Sequence, residues 1–235
     1  MPASVLPRCF RARWPSRLGE TWRPWLIVGG VGVAGALVPV PAVVGRQARN
    51  GCEPSGASLT VIATRTTRIY TANPGTSEYG CLFRVGRPVL LGAIASPDAN
   101  YQGGVLSFRT AGDLVAFEQW KVSAAQKRFY VNVVNLRTGV VARHVPTGVS
   151  PTSKGGSAGI GHLVALGLTS RGAAAWIAKS AYSPGSRYEV YKLDGGAARP
   201  SLLDMGYHIN RHSLRVSHHA VSWLQGGRRR SAALR

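Results

Sequence analysis

The residues best placed by type and spacing for covalent chemistry are Gly155-Gly156-Ser157-Ala158-Gly159, which read G-x-S-x-G. In that pattern a serine sits on a sharp strand-to-helix turn and presents its hydroxyl for attack on an acyl group. Asp194 or Asp204, followed by His208, His212, His218 or His219, keeps the order serine, acid, histidine. The turn needs a buried strand ahead of the serine, but residues 147–154, TGVSPTSK, are a loop of proline, serine, glycine and lysine. A serine hydrolase acting outside the cytoplasm through Ser157 is therefore the alternative reading. His208 and His212 would share one face of a helix, yet the intervening Ile209-Asn210-Arg211 lacks the glutamate of a zinc protease motif. These histidines, and His218-His219, are expected as exposed loop residues, with no metal.

Gly30-Val31-Gly32-Val33-Ala34-Gly35 spells G-x-G-x-x-G, with Glu53 beyond it. A dinucleotide site needs its third glycine to open a helix packed on a parallel sheet. Pro39 and Pro41 would break that helix, and no strand-helix alternation follows. No cofactor is expected. The wider chemistry is limited by composition: 9 acidic residues stand against 29 basic ones in 235 residues, a net charge of +20. Calcium loops, magnesium-assisted phosphoryl transfer and paired-carboxylate glycoside hydrolysis all need clustered carboxylates that the chain scarcely has.

The elements that could position these residues begin with an address. Residues 1–23 form a basic head with Arg8, Arg11, Arg13, Arg17 and Arg23 against Glu20. Residues 24–45 are uncharged and apolar. As a helix they would rise roughly 33 Å, the thickness of a bilayer's hydrocarbon core. Pro39, Pro41, Ala42 and Gly45 equally suit the end of a cleaved secretory signal. Signal peptide and transmembrane anchor both remain open; either places the chain beyond Gly45 outside the cytoplasm, with the N-terminus inside. The expected locations are thus the cell membrane, as a single-pass protein, or the extracytoplasmic space.

Cysteine usage agrees. Cys9 lies in the basic head, leaving Cys52 and Cys81 in the exported part, and two thiols in an oxidising compartment are expected to pair. Seven basic residues and one acidic residue precede Asn50, so 22 against 8 remain, about +14. Arg228-Arg229-Arg230 forms a basic tail and the candidate contact for a polyanion. Export makes nucleic acid the poorer partner and an envelope polymer or protein the better one. The excess of arginine over lysine is also what a high-GC genome dictates.

After a linker at 46–56, residues 57–235 read as an all-β domain. Thirteen short β-branched or aromatic runs are punctuated by glycine, proline, serine and asparagine, among them LTVIAT (59–64), LVAFEQW (114–120), FYVNVVNL (129–136), YEVYKL (188–193) and AVSWL (220–224). They recur in order: Gly112 to Phe117 parallels Gly172 to Trp176, with Trp223 at the corresponding place in a third unit. Strands ending at Leu136 and Leu193 each run into a glycine turn, at Gly139 and Gly195. A repeat of roughly fifty residues with four short strands suits propeller blades, with Phe117, Trp176 and Trp223 as core between blades.

The alternating strand, glycine, Ala-Phe/Trp strand and loop, the Y-x-x-V-x-x-L-x-x-G of residues 130–139, and Ser96-Pro97-Asp98 together resemble the β-propeller repeats of the TolB kind found in exported bacterial proteins. The resemblance implies about four propeller-like blade units, open or closed into a small ring, where the strand at 59–64 would complete the last blade. A β-sandwich is the alternative fold. The function expected is a non-enzymatic binding or scaffold module at the cell envelope, without catalytic machinery or cofactor.

Overall fold

The computed structural model describes residues 51–52, 58–72, 77–93, 102–123, 126–148, 161–180 and 187–235, all within the unit Pro41–Arg235. The basic head, the apolar stretch 24–45, Gly30 to Gly35, Glu53, Ser96 to Asp98 and Ser157 lie outside the described residues. Among the described residues no helix is long and apolar enough to cross a membrane.

The secondary structure is all-β, in four antiparallel sheets. Sheet I contains β1 (Ser58–Ala63), β2 (Thr67–Ala72), β3 (Ser77–Leu82) and β4 (Pro88–Ala93). Sheet II contains β5 (Gln102–Ala111), β6 (Leu114–Ser123), β7 (Gln126–Asn135) and β8 (Val140–Pro146). Sheet III contains β9 (His162–Leu168), β10 (Ala174–Lys179), β11 (Tyr188–Leu193) and β12 (Ser201–Gly206). Sheet IV contains β13 (Arg215–Val216), β14 (Ala220–Gln225) and β15 (Arg228–Ala233). Every sheet is a meander whose neighbours in sequence are neighbours in space, so short turns suffice. Between β14 and β15 the turn is Gly226-Gly227, both with positive φ (56° and 78°). That is the backbone of a two-residue hairpin whose twist matches the strands it joins, and side chains oppose it.

The sheets pack in chain order through apolar faces. Ile69, Leu82 and Leu91 of sheet I meet Val115, Phe117 and Leu136 of sheet II. The other face of sheet II, with Ala116, Val131 and Val133, meets Leu163, Trp176 and Leu193 of sheet III. Ile177 and Val190 on the far face of sheet III meet Val221 and Trp223 of sheet IV. Sheets II and III are therefore buried on both faces, which explains their unbroken apolar runs. Close approach needs small residues: a Cβ on Gly80 would lie 2.6 Å from Leu136 Cδ2.

A leucine ends or directly follows the third strand of each sheet: Leu82, Leu136, Leu193 and Leu234, all buried. Leu82 stands opposite Thr67, Leu136 opposite Asp113, Leu193 opposite Ala174 and Leu234 opposite His219. This frame corrects one sequence equivalence. Phe117 and Trp223 each lie four residues beyond the position facing that leucine, whereas Trp176 lies two beyond its own. All three aromatics are nonetheless buried between consecutive sheets, because a shift of two keeps a side chain on the same face.

Three further differences have physical causes. β12 (SLLDMG) and β15 (RRRSAA) are strands that the thirteen runs omit. Their weak β-propensity is overridden by pairing with β11 and β14. Arg228 to Arg230 consequently form a strand rather than a tail. The strand at 59–64 completes sheet I, where β1 pairs with β2, instead of the last unit.

Candidate functional site

Consecutive sheets are stitched together at the rim where the repeated register places the buried leucines. Arg84 bonds both carboxylate oxygens of Asp113, and Arg87 donates to Thr138 O (3.3 Å), tying sheet I to sheet II. Arg143 of β8 donates to Gly195 O in the β11–β12 turn, tying sheet II to sheet III. At the end of β11, Lys192 donates to Ala233 O (2.9 Å), and in the turn Asp194 accepts the Arg235 N–H (2.8 Å), tying sheet III to sheet IV. Burial resists charge on Asp194, but the bonds from Lys192 and the Arg235 backbone outweigh it and hold its pKa below the usual value. These charges are spent on structure.

Toward the opposite rim, sheet II offers sheet III a titratable cluster. Alternation along β6 points Leu114, Ala116, Glu118 and Trp120 to one face, and the register places Phe129 opposite Trp120. Glu118 has no exposed surface. Its Oε1 accepts the Leu163 N–H from β9 (2.7 Å), while Oε2 has no partner among the described residues. Lys127 lies over the Trp120 ring (4.1 Å) and over Phe129 (5.2 Å), and the His162 ring is 6.2 Å from Phe129. The arrangement is a buried carboxyl on the same face as a neighbouring pair of aromatics, within the field of the cation that lies over them.

Burial pushes the Glu118 pKa up to about 7, against opposing effects of the Leu163 N–H and the Lys127 charge. Burial also pushes His162 down, with help from Lys179. On the other face of sheet II, His144 is lowered by burial and by Lys121; its Nδ1 lies 2.7 Å from Asn132 Oδ1. A carboxyl poised near neutrality can hold or release a proton where water hardly reaches, and can accept a bond from an incoming donor at its free oxygen.

A stability experiment reads this directly. The Glu118 carboxyl has an ordinary pKa of 4.5, taken for the unfolded chain, and about 7 in the fold, so the folded state holds the proton more tightly between those values. Its stabilisation is complete below pH 4.5, is lost as pH rises toward 7, and changes no further above it. The loss is roughly 3 kcal/mol. Glu118→Gln keeps the acceptor for Leu163 and removes the titration. Urea unfolding between pH 4.5 and 8 is expected to show the variant gaining on the native protein as pH rises. The difference between the two isolates Glu118 from the histidines, whose lowered pKa values act in the opposite direction. Parallel curves would show that the carboxyl is not desolvated.

The residues singled out in the sequence are dispersed. Asp204 accepts the Trp223 Nε1–H (2.7 Å) and lies 3.7 Å from Arg230, and Asp194 belongs to the stitched rim. His208, His212, His218 and His219 are exposed, and His212 Nε2 accepts from Arg211 (3.0 Å). None of the four approaches either aspartate within a hydrogen bond. Among the described residues no group of three histidine, cysteine or acidic side chains could hold a metal ion. Cys52 and Cys81 are buried and meet at bonding distance, S–S 2.01 Å, with Cα atoms 5.7 Å apart. Glu118 was missed by motif reasoning; the signal was a lone carboxylate at an inward position of the apolar run LVAFEQW. No protein-family model matches the chain, and no curated protein matches it at significant similarity.

Proposed function

We propose that this protein is a non-enzymatic binding or scaffold module working on the extracytoplasmic side of the cell envelope. Its four sheets are read as successive blades of an open, propeller-like array of the TolB kind. The observation that carries the reading is the buried Cys52–Cys81 pair, since such bonds form and persist in oxidising compartments. The basic head and the apolar segment 24–45 supply the route, as a cleaved signal or a single-pass anchor with the N-terminus inside. Sheet faces consumed by inter-sheet packing leave rims and edges as the surfaces that meet a partner, an envelope polymer or another protein.

Peptide mapping of protein from the envelope fraction, denatured with iodoacetamide and without reductant, tests the compartment. The expected product links the Cys52 peptide to the Cys81 peptide and carries alkylation at Cys9 alone, or no Cys9 peptide if the head has been cleaved. Alkylation of Cys52 and Cys81 would overturn the placement. Exposure to a fluorophosphonate tests the chemistry: an adduct at Ser157 would replace the binding module with a serine hydrolase.

A further inference from the structure

We propose that the outer edge of β15 docks an acidic, extended segment of a partner protein, which adds to sheet IV as a fourth strand. The proposal deepens the binding reading above by naming the ligand class, and rests on it for that role. Sheets I, II and III each place a fourth strand beside the third. In sheet IV, among the described residues, β15 is the outermost strand.

The register defines what that edge offers. Leu234 N–H donates to His219 O, so Arg228, Arg230 and Ala232 turn their backbone groups toward β14, and Arg229, Ser231 and Ala233 turn theirs outward. Sheet III already closes the far end, where Lys192 takes Ala233 O and Asp194 takes Arg235 N–H. The N–H and C=O groups of Arg229 and Ser231 have no partner among the described residues, and both residues are exposed. Alternating donors and acceptors are what an added strand satisfies. A phosphate or sulfate polymer could use the donors and would leave the carbonyls unmet.

Charge selects the strand. Arg228 and Arg230 flank the edge on one face of the sheet, and Arg229, with Arg215 two strands away, on the other. Arg230 lies 3.7 Å from Asp204; Arg228, Arg229 and Arg215 have no ion pair among the described residues. A second copy of this chain, pairing edge to edge, would set arginine against arginine, which is unfavourable. Nor does the chain carry an acidic strand of its own: no two of its 9 acidic residues are adjacent or alternate. The charges select a partner's segment with carboxylates at alternate positions.

Fluorescence anisotropy with the full chain and a labelled peptide of about seven residues, glutamate alternating with threonine, tests the proposal. A second peptide of identical charge carries N-methyl groups on the amides that would face β15. Saturable binding of the first, weakened at least about tenfold by N-methylation, is expected. Ser231→Pro removes an outward N–H without touching the bonds to β14 and should weaken binding similarly, as should Arg229→Glu. Circular dichroism confirms that each variant is folded; Arg229→Gln, with no new charge, stands in if Arg229→Glu is not. Equal affinity for the N-methylated peptide, or equal affinity of the native and Ser231→Pro proteins for the unmodified peptide, would overturn strand addition in favour of a charge-only surface. Absence of saturable binding would also overturn it. Either failure leaves the thiol mapping intact, and so separates this inference from the envelope reading.

Discussion

Trp176→Ala is expected to lower the free energy of unfolding by about 3–5 kcal/mol, a large part of what holds an ordinary domain together. The indole is wholly buried between sheets II and III, stacked on Tyr191 with ring centroids 5.7 Å apart. Its Nε1–H donates to Thr147 O (2.7 Å), at the point where the chain leaves β8. Truncation opens a cavity at the middle interface of the stack, which cannot collapse without parting both sheets, and it leaves a buried carbonyl unpaired. Trp176→Phe restores most of the volume but not the donor, and is expected to cost about 1–3 kcal/mol. Chemical denaturation checks both variants. No loss for Trp176→Phe would show that the hydrogen bond carries nothing, and a loss below about 1 kcal/mol for Trp176→Ala would deny that this interface holds the sheets together.

Reducing the Cys52–Cys81 bond is expected to cost roughly 3–4 kcal/mol in the chain-entropy account of cross-links. The sulfurs close a loop of sequence separation 29 that contains β1, β2 and most of β3. Without the bond those strands regain their freedom in the unfolded chain, while the folded sheet I keeps its pairing. The bond lies against Tyr70 and Ala72, with Tyr70 stacked on Tyr79 at 5.7 Å. Measuring urea midpoints with and without reductant separates the cross-link from the packing that a Cys52→Ala, Cys81→Ala double variant also disturbs. A midpoint unmoved by reductant would mean that the thiols are not joined in solution.

These two expectations differ in how far the sequence alone could reach them. The pairing of Cys52 with Cys81 followed from counting thiols in a segment expected to be exported, because a compartment's redox chemistry acts on residue type. The burial of Trp176 was legible as a repeat, since Gly172 and Trp176 echo Gly112 and Phe117. Its register was not: two residues of displacement leave the alternation intact and so make no mark on the pattern. β15 was read as a basic tail for a similar reason. Three arginines are poor strand formers by themselves, and the pairing with β14 that overrides them is a non-local contact.

Strand content, hairpin turns and the repeat were determined by local chemistry: period-two alternation, β-branched side chains, and glycines where φ turns positive. Four sheets, and their chain order, came from deciding which turn joins which pair, and the terminal leucines show how regularly that was done. Glu118 belongs wholly to the tertiary level. Its carboxyl is ordinary in β6 alone; it becomes a group poised near pH 7 because sheet III covers it, supplies one N–H and excludes the water that would stabilise its charge. The open backbone of Arg229 and Ser231 is likewise a matter of register and neighbours. Residue types determine what a side chain or main-chain group can do, whereas desolvation and pairing, which decide whether it does so, depend on segments far away in the chain.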